Sequence, residues 1–251
     1  MSRDDPEARL SHLPKADGSA TFSYAGYTIV GAVNGPIEVQ RRDELPEEAA
    51  IDVVVRPAAG VGGTRERHLE SILEATLRQI ILVNSFPRTL IQVILQVTVS
   101  PDNEYVNAKV TQASLNLPML PALLETAVLT LLSAGVPLTA TVTPASFSIN
   151  ASTDNKNEII PNPTPRQVET SRSFHVFAFT SHEELLLAES EGCFTTAEWD
   201  NLYSQARAYC CPPDTDVVMD NDRGANVDLK NFVRTTMQEK IAEDLHWKTL
   251  G

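Results

Sequence analysis

Residues 60–99 read GVGGTRERHLESILEATLRQIILVNSFPRTLIQVILQVTV, and this stretch decides the architecture because it sets a strong helix pattern directly before a strong strand pattern. After the glycine-rich turn Gly60-Val61-Gly62-Gly63, Thr64 is placed to cap a helix. Leu69, Ile72, Leu73, Thr76, Leu77, Ile80 and Ile81 recur at three- and four-residue steps and form one buried stripe. Arg67, Glu70, Glu74 and Arg78 take the opposite face. Pro87 disfavours helical geometry at Phe86, so the helix is expected to stop near Asn84. From Thr89 to Val99 the period changes to two. Ile91, Val93, Leu95, Val97 and Val99 share one wholly apolar face, while Leu90, Gln92, Ile94, Gln96 and Thr98 share a mixed one.

Upstream of this unit, Ala20–Tyr24 and Tyr27–Val33 flank Ala25-Gly26 as a tight hairpin, which Gly35-Pro36 is expected to end. Ile37–Gln40 is a short extended piece, residues 42–48 an acidic linker, and Ile51–Arg56 a β-branched strand. Residues 1–16 are polar and read as an N-terminal tail, with residues 17–251 as a single domain. Downstream, residues 101–118 read as polar and irregular, and a second helix follows Pro121 with Leu120, Leu123, Leu124, Ala127, Val128 and Leu131 on one face. Leu138–Thr143 alternates as a strand, and the alternation resumes out of phase at Ala145, which predicts a bulge at Pro144. Residues 151–165 read as a surface loop, Phe174–Phe179 and Leu185–Ala188 as strands. Thr195 and Glu198 form a capping-box pattern opening a helix with Trp199, Leu202, Tyr203 and Ala206 inward. An acidic loop, residues 211–228, precedes a final helix over Leu229–Leu245. Two passages of strands followed by a packed helix make this an α+β chain whose helices cover mixed sheets.

Composition narrows the function classes. The 251 residues are 42% hydrophobic, enough for a substantial core, and carry a net charge of −13. That charge repels nucleic acid, so a stand-alone RNA-binding protein is disfavoured and any RNA contact needs a local basic patch. No signal peptide and no run of about 18 apolar residues is visible, so a soluble chain is expected. Three cysteines, two adjacent at Cys210 and Cys211, make neither a disulfide framework nor a metal motif.

The chemical motifs are sparse. The glycine turn followed by Arg65 and Arg67 is suited to a phosphate at a helix N-terminus, but it lacks the Lys-Ser/Thr of a P-loop, and a plain turn is the simpler reading. Asp220-Asn221-Asp222-Arg223-Gly224 is not a calcium loop, since its glycine falls one position early and Asn231 stands where the closing glutamate belongs. His175, inside an apolar strand, reads as a packed or edge histidine, and the carboxylates read as solvated charge in loops and on outer helix faces.

A series of short motifs nevertheless falls in a recognisable order: Asp17-Gly18-Ser19-Ala20, Gly35-Pro36-Ile37-Glu38, Val55-Arg56-Pro57, Thr64-Arg65-Glu66, Pro87-Arg88, Val93-Ile94-Leu95-Gln96, Ser133-Ala134-Gly135-Val136-Pro137 and Pro163-Thr164. Over about residues 17–208 the chain resembles the RNase PH family, and within it the RNase PH-like subunits of the fungal exosome ring that are similar to the archaeal catalytic subunit. The resemblance implies an RNase PH-like fold (ribosomal protein S5 domain 2-like) of two βαβ-containing halves. The family's chemistry is phosphorolysis of an RNA 3′ end, which needs cationic donors for phosphate and carboxylates for a metal or proton transfer.

At the positions that carry this chemistry the sequence departs from the family. Active members have Gly-Gly-Thr-Arg-Thr-Ala where this chain has Asp102-Asn103-Glu104-Tyr105-Val106-Asn107-Ala108, so the phosphate-binding arginine is missing. Glu70 and Glu74 occupy the neighbourhood of a helix arginine, and Ile159–Arg166 lacks the two aspartates, with Asp154 and Glu158 as the only nearby substitutes.

The resemblance therefore implies a non-catalytic subunit with no cofactor and no metal. Its partners would be other RNase PH-like exosome subunits in a hetero-hexameric ring, cap subunits and a separate nuclease, with RNA passing through the channel and no membrane involved. The implied location is the nucleus, including the nucleolus, and the cytoplasm. Arg65 and Arg67 are the expected RNA contacts, since the family's loop before this helix faces the RNA path, whereas Arg88 is expected to be structural; the alternative reading is that all three are ordinary surface or ion-paired arginines. The alternative is an active phosphate-dependent 3′-to-5′ exoribonuclease using Asp154 or Glu158.

Overall fold

A computed structural model describes residues 6–42, 44–101, 117–150, 158–211 and 229–249. The chain divides into two compact units, Met1–Thr141 and Val142–Gly251.

The first unit is built on β1 (Glu7–Leu10), β2 (Gly18–Tyr24), β3 (Tyr27–Glu38), β4 (Ala50–Arg56), α1 (Thr64–Ile80), β5 (Thr89–Val99) and α2 (Leu120–Ser133). Its sheet runs β1-β2-β3-β5-β4. The pairs β1·β2, β2·β3 and β3·β5 are antiparallel, whereas β4 and β5 are parallel, with Ile51 opposite Ile91 and Arg56 opposite Gln96. Parallel neighbours require a crossover, and α1 supplies it. The predicted stripe is buried: Leu69, Ile72, Leu73, Thr76, Leu77 and Ile80 face inward. On β5, Ile91, Val93, Leu95 and Val97 are buried as the alternation requires.

α2 lies over β2 and β3 through small residues. A side chain at Gly18 would collide with the backbone of Ala134, and one at Gly31 with the hydroxyl of Thr130 and the methyl of Thr126. Glycine there is what lets helix and sheet approach so closely. Thr126 and Thr130 hide their hydroxyls by donating to the carbonyls of Ala122 and Thr126 one turn back.

The second unit contains β6 (Val142–Asn150), β7 (Glu158–Pro161), α3 (Pro165–Thr170), β8 (Ser173–Thr180), β9 (Leu185–Gly192), α4 (Thr196–Cys210), α5 (Leu229–Asp244) and the single turn α6 (His246–Thr249). Its sheet, β7-β6-β8-β9, is antiparallel throughout. Ala145, Phe147, Ile149, Phe177 and Phe179 meet Leu202, Ala206 and Cys210 of α4 in one core, with Trp199 and Tyr203 half-buried against it. The predicted capping box is present, with Thr195 Oγ1 accepting from the Glu198 N–H and Glu198 Oε2 from the Thr195 N–H.

The α+β class holds. The mixed sheet and its βαβ crossover belong to the first unit, and the second sheet is antiparallel among the described residues.

Several local expectations are corrected. Regular structure begins inside the supposed tail, where Glu7–Leu10 pairs with β2 as an edge strand too short for its alternation to stand out. Thr64 is the first helical residue, and Gly63 takes the cap position. α1 ends at Ile80 because the chain beyond it is captured by another segment. Ile81 bridges Leu138, the Leu82 N–H donates to the Pro137 carbonyl, and the Thr139 N–H donates to the Ile80 carbonyl. Gly35-Pro36 does not end β3: the strand runs through a cis peptide, with an irregularity in its pairing to β5 between Asn34 and Ile37.

Conversely, β6 pairs with β8 without a bulge at Pro144. β7 covers only Phe147–Asn150 of the other side of β6, so the proline, which has no N–H, sits where no partner is waiting. The bulge of this sheet lies instead between β8 and β9 beside Ala178 and Phe179. β7 and α3 fall within or beside the segment read as a loop. Residues 102–116, Asp154 and the Asp220–Gly224 segment lie outside the described residues.

Candidate nucleic-acid interface

The β4–α1–β5 crossover fixes where the candidate arginines lie. β4 ends at Arg56 beside Gln96, residues 57–63 turn the chain, and α1 then runs back along the sheet. Arg65 and Arg67 in its first turn therefore stand at the Gln96 end of the unit. Arg88 stands at the other end, about eight residues of strand or roughly 26 Å away. It pairs with Glu44 at 3.4 Å, and its N–H donates to the Leu45 carbonyl. Arg88 therefore lies at the opposite end from Arg65 and Arg67, and its contacts are structural. Arg78, further along α1 from the candidate end, is paired with Glu48.

Three side chains secure the turn that carries the candidate arginines. Gln96 Nε2 donates to the carbonyls of Pro57 at 3.0 Å and Val97 at 2.9 Å. Glu70 Oε1 accepts from the Val55 N–H at 2.8 Å, and Glu66 Oε2 accepts from the Gly63 N–H at 2.6 Å. Gly60 has a φ of 84°, a left-handed conformation that glycine adopts without cost. Val61 at the tip is 96% exposed, and the side chains of Arg56, Arg67 and His68 are also at the surface, with Arg65 half-buried. Three arginines against two glutamates make residues 56–70 locally positive in a chain of net charge −13. The end of α1 is not an open anion cradle, because the Glu66 carboxylate already holds the Gly63 N–H. A phosphate at this end would be met by arginine side chains.

Of the other residues singled out in the sequence, Glu70 is half-buried and bonded to backbone, Glu74 is exposed, and Glu158 is exposed at the start of β7 opposite Asn150. His175 is fully buried in β8, its Nδ1 2.8 Å from Ser190 Oγ and its Nε2 3.0 Å from Ser173 Oγ, with the ring edge-on to Phe194. Burial lowers its pKa to about 4, against a smaller opposing pull from Glu198. It is a packed histidine. Among the described residues no cluster of His, Cys, Asp or Glu is suited to hold a metal, and no helix is long and apolar enough to cross a membrane.

One residue escaped the sequence reading. Glu125 is buried in the middle of α2, neither carboxylate oxygen has a hydrogen-bond partner among the described residues, and burial raises its pKa to about 8. The available signal was a lone acid within the apolar run Leu120–Leu132.

A mixed sheet with one parallel crossover and glycine notches beneath its covering helix, followed in sequence by an antiparallel sheet under an aromatic helix, defines an α+β protein of the kind the sequence motifs resemble. Residues 5–137 match the model of the RNase PH family, described as 3′ exoribonuclease family, domain 1, and the chain belongs to that family. It is 33% identical over 204 residues to the exosome complex component RRP46 of Saccharomyces cerevisiae, covering 79% of this chain and 85% of that one. It is 25% identical over 241 residues to a rice (Oryza sativa) protein named exosome complex exonuclease RRP46 homolog, covering 93% and 90%. In fold it is similar to the crystal structure of rice Rrp46, with a TM-score of 0.72 at 22% identity over 94% of this chain and 96% of that one.

Proposed function

We propose that this chain is a non-catalytic ring subunit of the RNA exosome, shaping the channel through which RNA reaches a separate nuclease. The observation that carries the reading is the combination of an RNase PH fold with a missing phosphate site. The chain aligns over most of its length with a yeast exosome component, yet residues 102–108 lack the arginine that active family members use for phosphate. The assembly is a hetero-hexameric ring of RNase PH-like chains with cap subunits and a nuclease, in the nucleus, the nucleolus and the cytoplasm. Arg65 and Arg67 contact RNA phosphates in the channel. These contacts are sequence-independent and screened by salt.

Native mass spectrometry of the tagged chain from its own cells tests the assembly, and is expected to give a hetero-oligomer with other RNase PH-like chains. A lone monomer overturns the reading. Fluorescence imaging of the tagged chain tests the compartments. In the assembled ring, R65E/R67E is expected to weaken RNA protection at low salt while leaving the subunit composition intact.

The second reading is an active phosphorolytic exoribonuclease, favoured by the rice relative's name and by Glu158 near the place where active members carry aspartate. It requires phosphate-dependent release of nucleoside diphosphates by the purified chain, abolished by alanine at Asp154 or Glu158. No release is expected.

A further inference from the structure

We infer that Glu70 and Gln96 are positioning residues for the RNA-contacting end of α1, acting on RNA only through the placement of Arg65 and Arg67. The inference rests on the RNA reading given above. The connection from β4 to α1 holds Gly60, Gly62 and Gly63 among its seven residues, and such a segment has many accessible conformations unless it is tied down. The ties come from outside it. Gln96, on β5, uses its amide nitrogen to hold the carbonyl of Pro57, the first residue of the turn, and the carbonyl of Val97 on its own strand. Glu70, one helical turn beyond Arg67, holds the Val55 N–H at the end of β4. Both side chains are half-buried and directed to backbone. Together they lock the start of α1 to the ends of β4 and β5. The arginines at positions 65 and 67 then project from a fixed frame, so less freedom is lost when they meet a phosphate.

The inference makes a prediction opposite in sign to simple electrostatics. Glu70 is an anion close to two arginines, and removing it should by charge alone strengthen RNA binding. If Glu70 positions the arginines, E70L should weaken binding despite the added net positive charge. E70Q keeps an oxygen able to accept from the Val55 N–H and should bind at least as well as the parent. Q96L, on a different element and without any change of charge, should reproduce the E70L loss.

The experiment measures single-stranded oligouridine binding by the purified assembly containing each variant over a salt series, with native mass spectrometry confirming composition. E70L and Q96L are expected to lose about fivefold in affinity at low salt, the net scale of one ordinary hydrogen bond forgone. They should also reduce the slope of log affinity against log salt by about 0.7, the value for one phosphate contact on a single strand. A merely architectural role would leave that slope unchanged. The inference is overturned if E70L binds as tightly as E70Q, or if Q96L matches the parent in an intact assembly. R65E/R67E separates the two levels of the argument. If the double variant loses affinity while E70L and Q96L do not, the RNA site stands and the positioning role falls. If the double variant binds normally, the RNA site itself is wrong.

Discussion

The two units cover their sheets in different ways. α2 approaches the first sheet through Thr126, Thr130 and Ala134 set against Gly18 and Gly31, whereas α4 meets the second through rings. Between ring centroids, Trp199 lies 6.0 Å from Phe177, Tyr203 5.8 Å from Phe179, and Tyr209 5.7 Å from Phe147. Small residues bring backbones together and leave no room for a substituent, while rings stand the helix off and leave Trp199 and Tyr203 half-exposed. The same contrast governs the buried ionisable groups. Glu125 on α2 is enclosed with no partner among the described residues, but His175 in the second unit has a serine hydroxyl at each ring nitrogen. Burial is therefore penalised more heavily at Glu125, and the two groups link stability to pH with opposite signs.

The largest expected effect breaks the contrast at Glu125. Its pKa is about 8 in the fold against 4.5 ordinarily, so the native state holds a proton that the unfolded chain has released. Its contribution to stability is fullest below pH 4.5 and is lost as pH rises through 8, by about 5 kcal/mol in all. E125Q removes the linkage and should stabilise the protein at pH 8. Urea unfolding of parent and variant across pH 4.5–8 checks this, and parallel curves would refute it.

The next effect tests the glycine notch. Gly31→Ala places a methyl against the Thr130 hydroxyl, whose β-branched side chain has little freedom to turn aside. A loss of about 2 kcal/mol is expected from overpacking. Thr130→Ala alone gives up a buried hydroxyl already bonded one turn back, and the double variant should recover much of the Gly31→Ala loss. A double-mutant cycle showing simple additivity would mean that the notch is not tight.

The smallest effect sharpens the contrast at His175. Its pKa of about 4 against an ordinary 6.5 means that the fold holds the ring neutral. The associated stability is present above pH 6.5 and is lost as pH falls toward 4. The protection of β8 and β9 amides, measured relative to the intrinsic exchange rate at each pH, should weaken through local opening over that acid range in the parent, and H175Q, which keeps hydrogen-bonding capacity, should flatten the dependence. Between pH 4.5 and 6.5 the Glu125 and His175 linkages oppose each other, so the parent's global stability should be nearly level there and decline above it.

Much of this structure was legible in the chain because it depends on local periodicity. The three- and four-residue recurrence from Leu69 to Ile80, the alternation from Thr89 to Val99 and the Thr195–Glu198 cap each specify an element through neighbours within about one turn or one pleat. The motif order then pointed to the RNase PH family, and the resemblance made Arg65 and Arg67 the candidate RNA contacts. What the sequence could not decide was set by partners distant along the chain. The end of α1 depends on Pro137, Leu138 and Thr139, which capture Ile80, Ile81 and Leu82 after the helix would otherwise have continued. Pro144 sits in an unbroken pairing because β7 is short, and Glu7–Leu10 becomes a strand because β2 offers an edge. Glu125 looked like one acid among many until tertiary packing closed around it, and Glu70 and Gln96 looked like outer-face polar residues until the β4–α1 turn was folded beneath them. Periodicity fixes which face of an element is apolar, but the partner of a polar group on that face is a property of three-dimensional proximity, and only the assembled fold supplies it.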